Sequence, residues 1–185
     1  MVSIYVDEQL AVCSFKDDDA ASLFAAIDTN RVHLQPWLDW VGKTTKPEHS
    51  LQFIQDAAYQ REHQEGLALG IFKAGRLIGG IGMHDWHHPT GRAQVGYWIG
   101  KEHEGQGIVS QCLQKFIDHL FSRIGLNKVE IRFVPANVRS AALAGRLGFR
   151  TEGIIRQSIM NNGLIDDLVV TGMLKKDWEN TKPID

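Results

Sequence analysis

Cysteine is scarce in this chain: Cys13 and Cys112 are the two in 185 residues. That is too few for a disulfide framework, and both thiols are expected to be reduced and packed. No stretch approaches the eighteen or so apolar residues of a membrane-spanning helix. The first residues also lack the basic-then-apolar order of a secretory signal, so a cytoplasmic protein with no membrane partner is expected. Clustered positive charge is missing as well. Lysine and arginine number 20 against 22 acids, a net charge of −2, and without a Lys/Arg block no direct nucleic-acid binding is expected. Repeats, low-complexity tracts and linkers are absent. Hydrophobic residues make up 43% and charged residues 23%, ordinary values for a globular chain, so residues 1–185 are expected to form one domain with a good core.

What stands out is a turn almost free of side-chain bulk, Glu102-His103-Glu104-Gly105-Gln106-Gly107-Ile108, between a strand-like run and a helix. Gly105 and Gly107 permit close backbone approach to a ligand, and the helix that follows aims unpaired N–H groups and its positive end at an anion. Two familiar phosphate loops fail here. A Walker loop needs Lys-Ser or Lys-Thr after its last glycine, where this chain has Ile108 and Val109. The dinucleotide fingerprint meets Ser110 in place of its third glycine, and Glu130 falls inside a strand-like run, not at its end.

The remaining pattern predicts strands over 10–15, 67–73, 76–84, 92–99, 128–134, 150–160 and 166–174. Ala74-Gly75 predicts a tight hairpin turn, and Asn161-Asn162-Gly163 the turn between the last two strands. Helices are expected after Asp17 to Asp19 over 20–26, loosely over 31–40, over 47–62 with Pro47 at its start, over 108–124, and over 141–147. The last is capped by Asn137-Val138-Arg139-Ser140 and closed by Gly148. The fold class is therefore α/β or α+β: a mixed, mostly antiparallel seven-stranded sheet covered by helices.

With these residues in place, the chain resembles the GNAT N-acetyltransferases, whose acetyl-CoA loop reads Gln/Arg-x-x-Gly-x-Gly/Ala between the fourth strand and the third helix. More narrowly it is similar to the RimL/RimJ branch, which acetylates N-termini of ribosomal proteins. That likeness runs through Leu34-Gln35-Pro36-Trp37-Leu38-Asp39-Trp40, Gly96-Tyr97-Trp98, Gly105-Gln106-Gly107-Ile108, Asn137 with Ser140, Phe149 with Glu152-Gly153, and Asn162-Gly163 with Asp166. Glu102 departs from the pattern at the Gln/Arg position. The resemblance implies splayed fourth and fifth strands and acetyl-CoA as donor, held by Trp98, Ile99, Gly105, Gln106, Gly107, Ile108, Val109, Ser110, Asn137 and Ser140. It implies backbone N–H donors near residues 97–99 for the carbonyl oxygen, Ser140 as proton donor to the departing thiolate, and a homodimer. Trp37, Trp40, His84 and Tyr97 are expected to line the acceptor groove. A plain buried helix face is the competing reading for the two tryptophans.

Relatives of this branch carry a glutamate base on the sixth strand where this chain has Ile159, which takes no proton. Asp85, Glu152 and His84 are the alternatives, or a water relay. His84, His87 and His88 flank Asp85 and Trp86, yet no neighbouring Cys or Glu completes a ligand set, and no metal is expected. An α-amino group has a pKa near ~7.8 and a lysine ~10.4; at pH 7 the free-base form costs about 1 kcal/mol in the first case and about 5 kcal/mol in the second. A weak base therefore suffices for a protein N-terminus, the expected acceptor. A polyamine, an antibiotic amine or a catalytically silent CoA-binding module are the alternatives.

Overall fold

Eight strands form one sheet in the computed structural model, which describes residues 1–161 and 163–180. They are Ser3–Tyr5 (β1), Leu10–Ser14 (β2), Leu67–Lys73 (β3), Arg76–His87 (β4), Arg92–Ile99 (β5), Lys128–Phe133 (β6), Arg150–Asn161 (β7) and Leu164–Leu174 (β8). The spatial order is β1-β2-β3-β4-β5-β6-β8-β7. Every neighbouring pair is antiparallel except β5 and β6. The sequence pattern predicts seven strands. The eighth is β1, an edge strand of three residues, too short for alternation to register. It follows that the expected fourth and fifth strands are β5 and β6.

Ala74 and Gly75 join β3 to β4 with both residues at positive φ, 48° and 76°, the conformation of a type I′ turn. Between β7 and β8, Asn162 lies outside the described residues, so the predicted Asn-Gly turn is described only at Gly163.

Among the described residues six α-helices cover the sheet: Ala20–Thr29 (α1), Arg31–Leu34 (α2), Pro47–Glu62 (α3), Ile108–His119 (α4), Val138–Arg146 (α5) and Lys175–Asn180 (α6). The loose helix expected over 31–40 is cut to one turn, and a short 3-10 turn follows at Asp39–Gly42. The run expected to 124 leaves α-geometry at His119, and Leu120–Ile124 forms a π turn that keeps Leu120 and Phe121 buried. The helix expected from 141 begins three residues earlier, at Val138, because Asn137 itself is the cap: its Oδ1 accepts the Ser140 amide at 3.1 Å.

Two apolar clusters lie on opposite faces of the sheet. On one, α4 presents Ile108, Cys112, Leu113, Phe116 and Ile117 along a single stripe against Val12, Ile71, Ile81 and Val95. Phe116 is fully buried, and its truncation to alanine is a change of about 3–5 kcal/mol. On the other face, Leu23 and Ile27 of α1, Leu34 of α2, Val41 of the 3-10 turn and Ile54 of α3 form a second cluster against which Leu77 and Trp98 pack.

Candidate active site

The parallel pair β5/β6 is joined only at Arg92↔Lys128, Ala93↔Val129 and Gln94↔Glu130, after which the strands part. β5 continues to Ile99, paired with β4 throughout, while β6 continues to Phe133 paired with β8. A wedge therefore opens through the sheet beside residues 95–99. The backbone of that run facing β6 has no strand partner among the described residues.

Glu130 holds the apex. Its side chain is 5% exposed and meets Arg132 at 2.8 Å, Arg92 at 3.0 Å and Lys128 at 3.1 Å. Burial alone would raise its pKa, but the bonds from Arg132 and Lys128 and their charges reverse that and hold the carboxyl below its ordinary range. Glu152 is drawn into the same network through Lys128 Nζ at 2.5 Å. This sequence-predicted acid is thereby engaged at the closed end of the wedge and is not brought to Ser140.

At the open end the chain passes from β5 through a 3-10 turn, Lys101–His103, into the glycine loop. Gly105 and Gly107 adopt φ of 71° and 73°, which strains any residue with a Cβ. Space is not the constraint, since a Cβ on Gly105 would meet nothing and one on Gly107 only Gln111 Nε2 at 3.6 Å. Gly107 caps α4 with no side chain to bond its first turn. Among the described residues, the successive amides from Gly105 to Ser110, including Ile108 and Val109, have no acceptor. Gln106 braces the loop: its Nε2 donates to the Glu102 carbonyl at 2.9 Å and its Oε1 accepts from Lys73 Nζ at 3.2 Å. Glu102, at the departing position, pairs with His103 at 3.1 Å.

Alternation along β5 sorts the remaining residues onto two faces. Val95, Tyr97 and Ile99 lie toward α4 and α5. There the Tyr97 hydroxyl is 2.7 Å from Ser140 Oγ. Burial raises the Tyr97 pKa above its ordinary value, opposed by the Ser140 bond and the charge of Arg146, so the phenol stays protonated. Gly96 and Trp98 lie on the other face, opposite Gly82 and Gly80 of β4. Trp98 covers Gly80 and stands edge-on to Trp40, ring centroids 6.2 Å apart. Leu34, Leu38 and Val41 turn inward, leaving Trp37 and Trp40 outward at 41% and 38% exposure. A buried-face reading of the two tryptophans thus fails.

A β-bulge between His84 and His87 sets the last group. It places Asp85 at φ 49°, with its Oδ2 accepting from Gln94 Nε2 at 2.7 Å and lying 3.2 Å from His84 Nδ1. The other ring nitrogen, His84 Nε2, lies over Gly96, 3.7 Å from where a Cβ would stand. The pairing of Tyr97 with Ser140 and the bulge that joins His84 to Asp85 escape sequence reasoning. A bulge leaves no trace in composition, and the hydroxyl pair spans 43 residues. Among the described residues no group of three or more His, Cys, Asp or Glu is arranged to hold a metal ion.

The family described as "Acetyltransferase (GNAT) domain" matches residues 9–150. The chain is 32% identical to YdaF of Bacillus subtilis (strain 168) over 183 residues, 98% of this chain and all of that one. It is also 32% identical to the ribosomal-protein-serine acetyltransferase of Escherichia coli (strain K12), over 90% of this chain and 93% of the other. A solved RimL ribosomal L7/L12 alpha-N-protein acetyltransferase in complex with coenzyme A superposes with a TM-score of 0.91 at 24% identity, covering 95% of this chain and 99% of that one.

Proposed function

The chain belongs to the GNAT family and is an N-acetyltransferase with acetyl-CoA as donor, and we propose that it acetylates the N-terminal α-amino group of a protein, with ribosomal proteins as the acceptor class. The relative that acetylates a ribosomal-protein serine supports that class. The observation that carries the reading is a wedge with the His84–Asp85 pair on one face and the Tyr97–Ser140 hydroxyl pair on the other. The amides from Gly105 to Ser110 suit the diphosphate of coenzyme A, Asn137 and Ser140 lie along the path of its pantetheine arm, and Trp98 and Ile99 flank the acetyl group.

The amine enters from the face that carries Trp37, Trp40 and Trp98. His84 Nε2 takes its proton, with Asp85 orienting the imidazole through Nδ1. Nitrogen attacks the thioester carbonyl, whose oxygen meets the unpaired N–H groups of the 95–99 run. The carbon–sulfur bond breaks toward the opposite face, where the Tyr97–Ser140 pair gives the thiolate a proton. Ile159, opposite Asp166 in the register, has no part in this scheme, and His84 does the work of the missing acid.

Ribosomal acceptors make the cytoplasm the working compartment. Ile154, Ile155, Met160, Leu164 and Ile165 are 48–73% exposed along the β7/β8 edge, an apolar row that suits a homodimer. Mass spectrometry of a panel of peptides with free N-termini, lysine-only peptides and polyamines tests the acceptor. An acetyl group should appear on α-amines, at a kcat reduced about 100-fold in His84→Gln. Turnover confined to polyamines refutes the assignment.

A further inference from the structure

One carboxylate outside this scheme joins three segments that the reaction needs in register. Glu104 sits in the glycine loop with 22% of its side chain exposed. Both of its oxygens accept from Arg139 Nη1, the residue before Ser140 at the start of α5. On its other side Oε1 lies 3.2 Å from His33 Nε2 on α2. Glu104 follows β5 and Arg139 follows β6, so this contact ties together the two arms of the wedge beyond their last paired residues.

The corner between α1 and α2 reinforces the same connection. Asn30 Oδ1 accepts the Lys101 amide at 2.8 Å, while its Nδ2 donates to the Ala26 carbonyl at 2.9 Å. Arg31 reaches the opposite way: Nη1 donates to the Val41 carbonyl and Nη2 to the Thr44 carbonyl at 2.6 Å, gripping the segment that carries Trp37 and Trp40. A short helix thus holds the acceptor-side tryptophans with one residue and the donor loop with its neighbours.

We propose that Glu104 is a positioning residue, the joint through which the acceptor-side helix α2 and the Ser140-bearing helix α5 set the shape of the coenzyme A loop. The inference rests on the reading of that loop as the coenzyme A cradle. Glu104 touches no reacting atom in the scheme above; its effect passes through the loop backbone and α5. Coupling between two sites is reciprocal. A change at His33, on the acceptor side, therefore weakens the hold on the donor, and donor binding draws α2 into place.

Calorimetric titration of coenzyme A into the full chain tests this with wild type, His33→Ala, Glu104→Ala and the double variant. His33→Ala should weaken coenzyme A binding roughly fivefold or more, and Glu104→Ala at least as much. The double variant should bind no more weakly than Glu104→Ala alone, because both changes break one joint. His33→Gln, whose amide still donates to the carboxylate, should recover most of the affinity, a rescue that a general loss of packing does not allow. Thermal melts verify folding, and Glu104→Gln substitutes if Glu104→Ala fails to fold. Unchanged affinity in His33→Ala, or additive losses in the double variant, overturns the proposal while leaving the cradle intact. No uptake of coenzyme A by the wild-type chain overturns the cradle reading and the joint together.

Discussion

Replacing Glu130 with glutamine probes the apex of the wedge, because the size of the side chain is kept and only its charge is lost. In the native chain that carboxylate, 5% exposed, faces three cations at 2.8–3.1 Å. Removing one partner of a buried pair costs about 3–5 kcal/mol. The cations here keep 21–29% of their side-chain exposure, and Lys128 retains Glu152, so partial rehydration brings the expected loss to about 2–3 kcal/mol. For a chain of this length that is a fall in Tm of roughly 4–12 °C. The pH dependence carries a definite sign. The folded carboxyl titrates below its ordinary value, so its contribution is complete above that value and disappears as pH falls through the folded pKa. Calorimetric melts of both proteins should therefore differ most at neutral pH and converge in acid, once the pH falls through the lowered folded pKa. Since β5 and β6 share only three paired positions, kcat should fall along with stability. A Tm within a degree of wild type at pH 7, or a gap that persists undiminished in acid, refutes the apex assignment.

Gly107→Glu adds a Cβ at φ 73° and a negative charge in the cradle. The backbone strain is about 1–2 kcal/mol, a Tm change of roughly 2–8 °C, whereas calorimetry should show coenzyme A affinity lowered at least ~100-fold by loss of the anion site; retained affinity refutes the cradle. Tyr97→Phe removes half of the hydroxyl pair and should lower kcat about tenfold or more with coenzyme A affinity little changed; equal losses in both would make the pair structural. Cys112 is fully buried, and desolvation together with the charge of Asp7 pushes its thiol up to about 12. A thiol reagent at pH 8 should therefore modify Cys13 alone until the chain is denatured, and rapid native labelling of Cys112 contradicts the packing of α4.

Strand and helix positions were largely legible because the elements obey local rules. Pro47 starts α3 at the expected residue, Ala74-Gly75 makes its turn through positive φ, and Gly105 and Gly107 reveal the loop without help from tertiary structure. What stayed hidden depends on tertiary pairing. β1 has three residues and earns its place by hydrogen bonding to β2. The early start of α5 comes from the Asn137 side chain, which the sequence places one turn off because Asn and Ser are both good caps. Glu152 and Asp85 are equivalent acids on paper; Lys128 claims the first, and the bulge turns the second toward Gln94 and His84.

In the proposed scheme, a division of labour across the sheet lets a chain with Ile159 on β7 do without an acid there. In that scheme acid and base act on different atoms at different moments and stand on opposite faces of the wedge, the His84–Asp85 pair on one and the Tyr97–Ser140 pair on the other, so neither has to be supplied by β7. Residues 96 and 97 are neighbours in sequence yet point to opposite sides. Gly96 leaves room under the imidazole of His84, and Tyr97 carries its hydroxyl to Ser140. A Cβ at 96 would stand in ordinary contact with that imidazole at 3.7 Å, so the γ carbons of a branched side chain would press on it while leaving Tyr97 untouched. Gly96→Val should accordingly depress kcat through the acceptor step while coenzyme A binding stays near wild type, measured by calorimetry alongside turnover. A matched loss of coenzyme A affinity would mean that the change at 96 acts on the donor directly, and the assignment of His84 as base would fall with it.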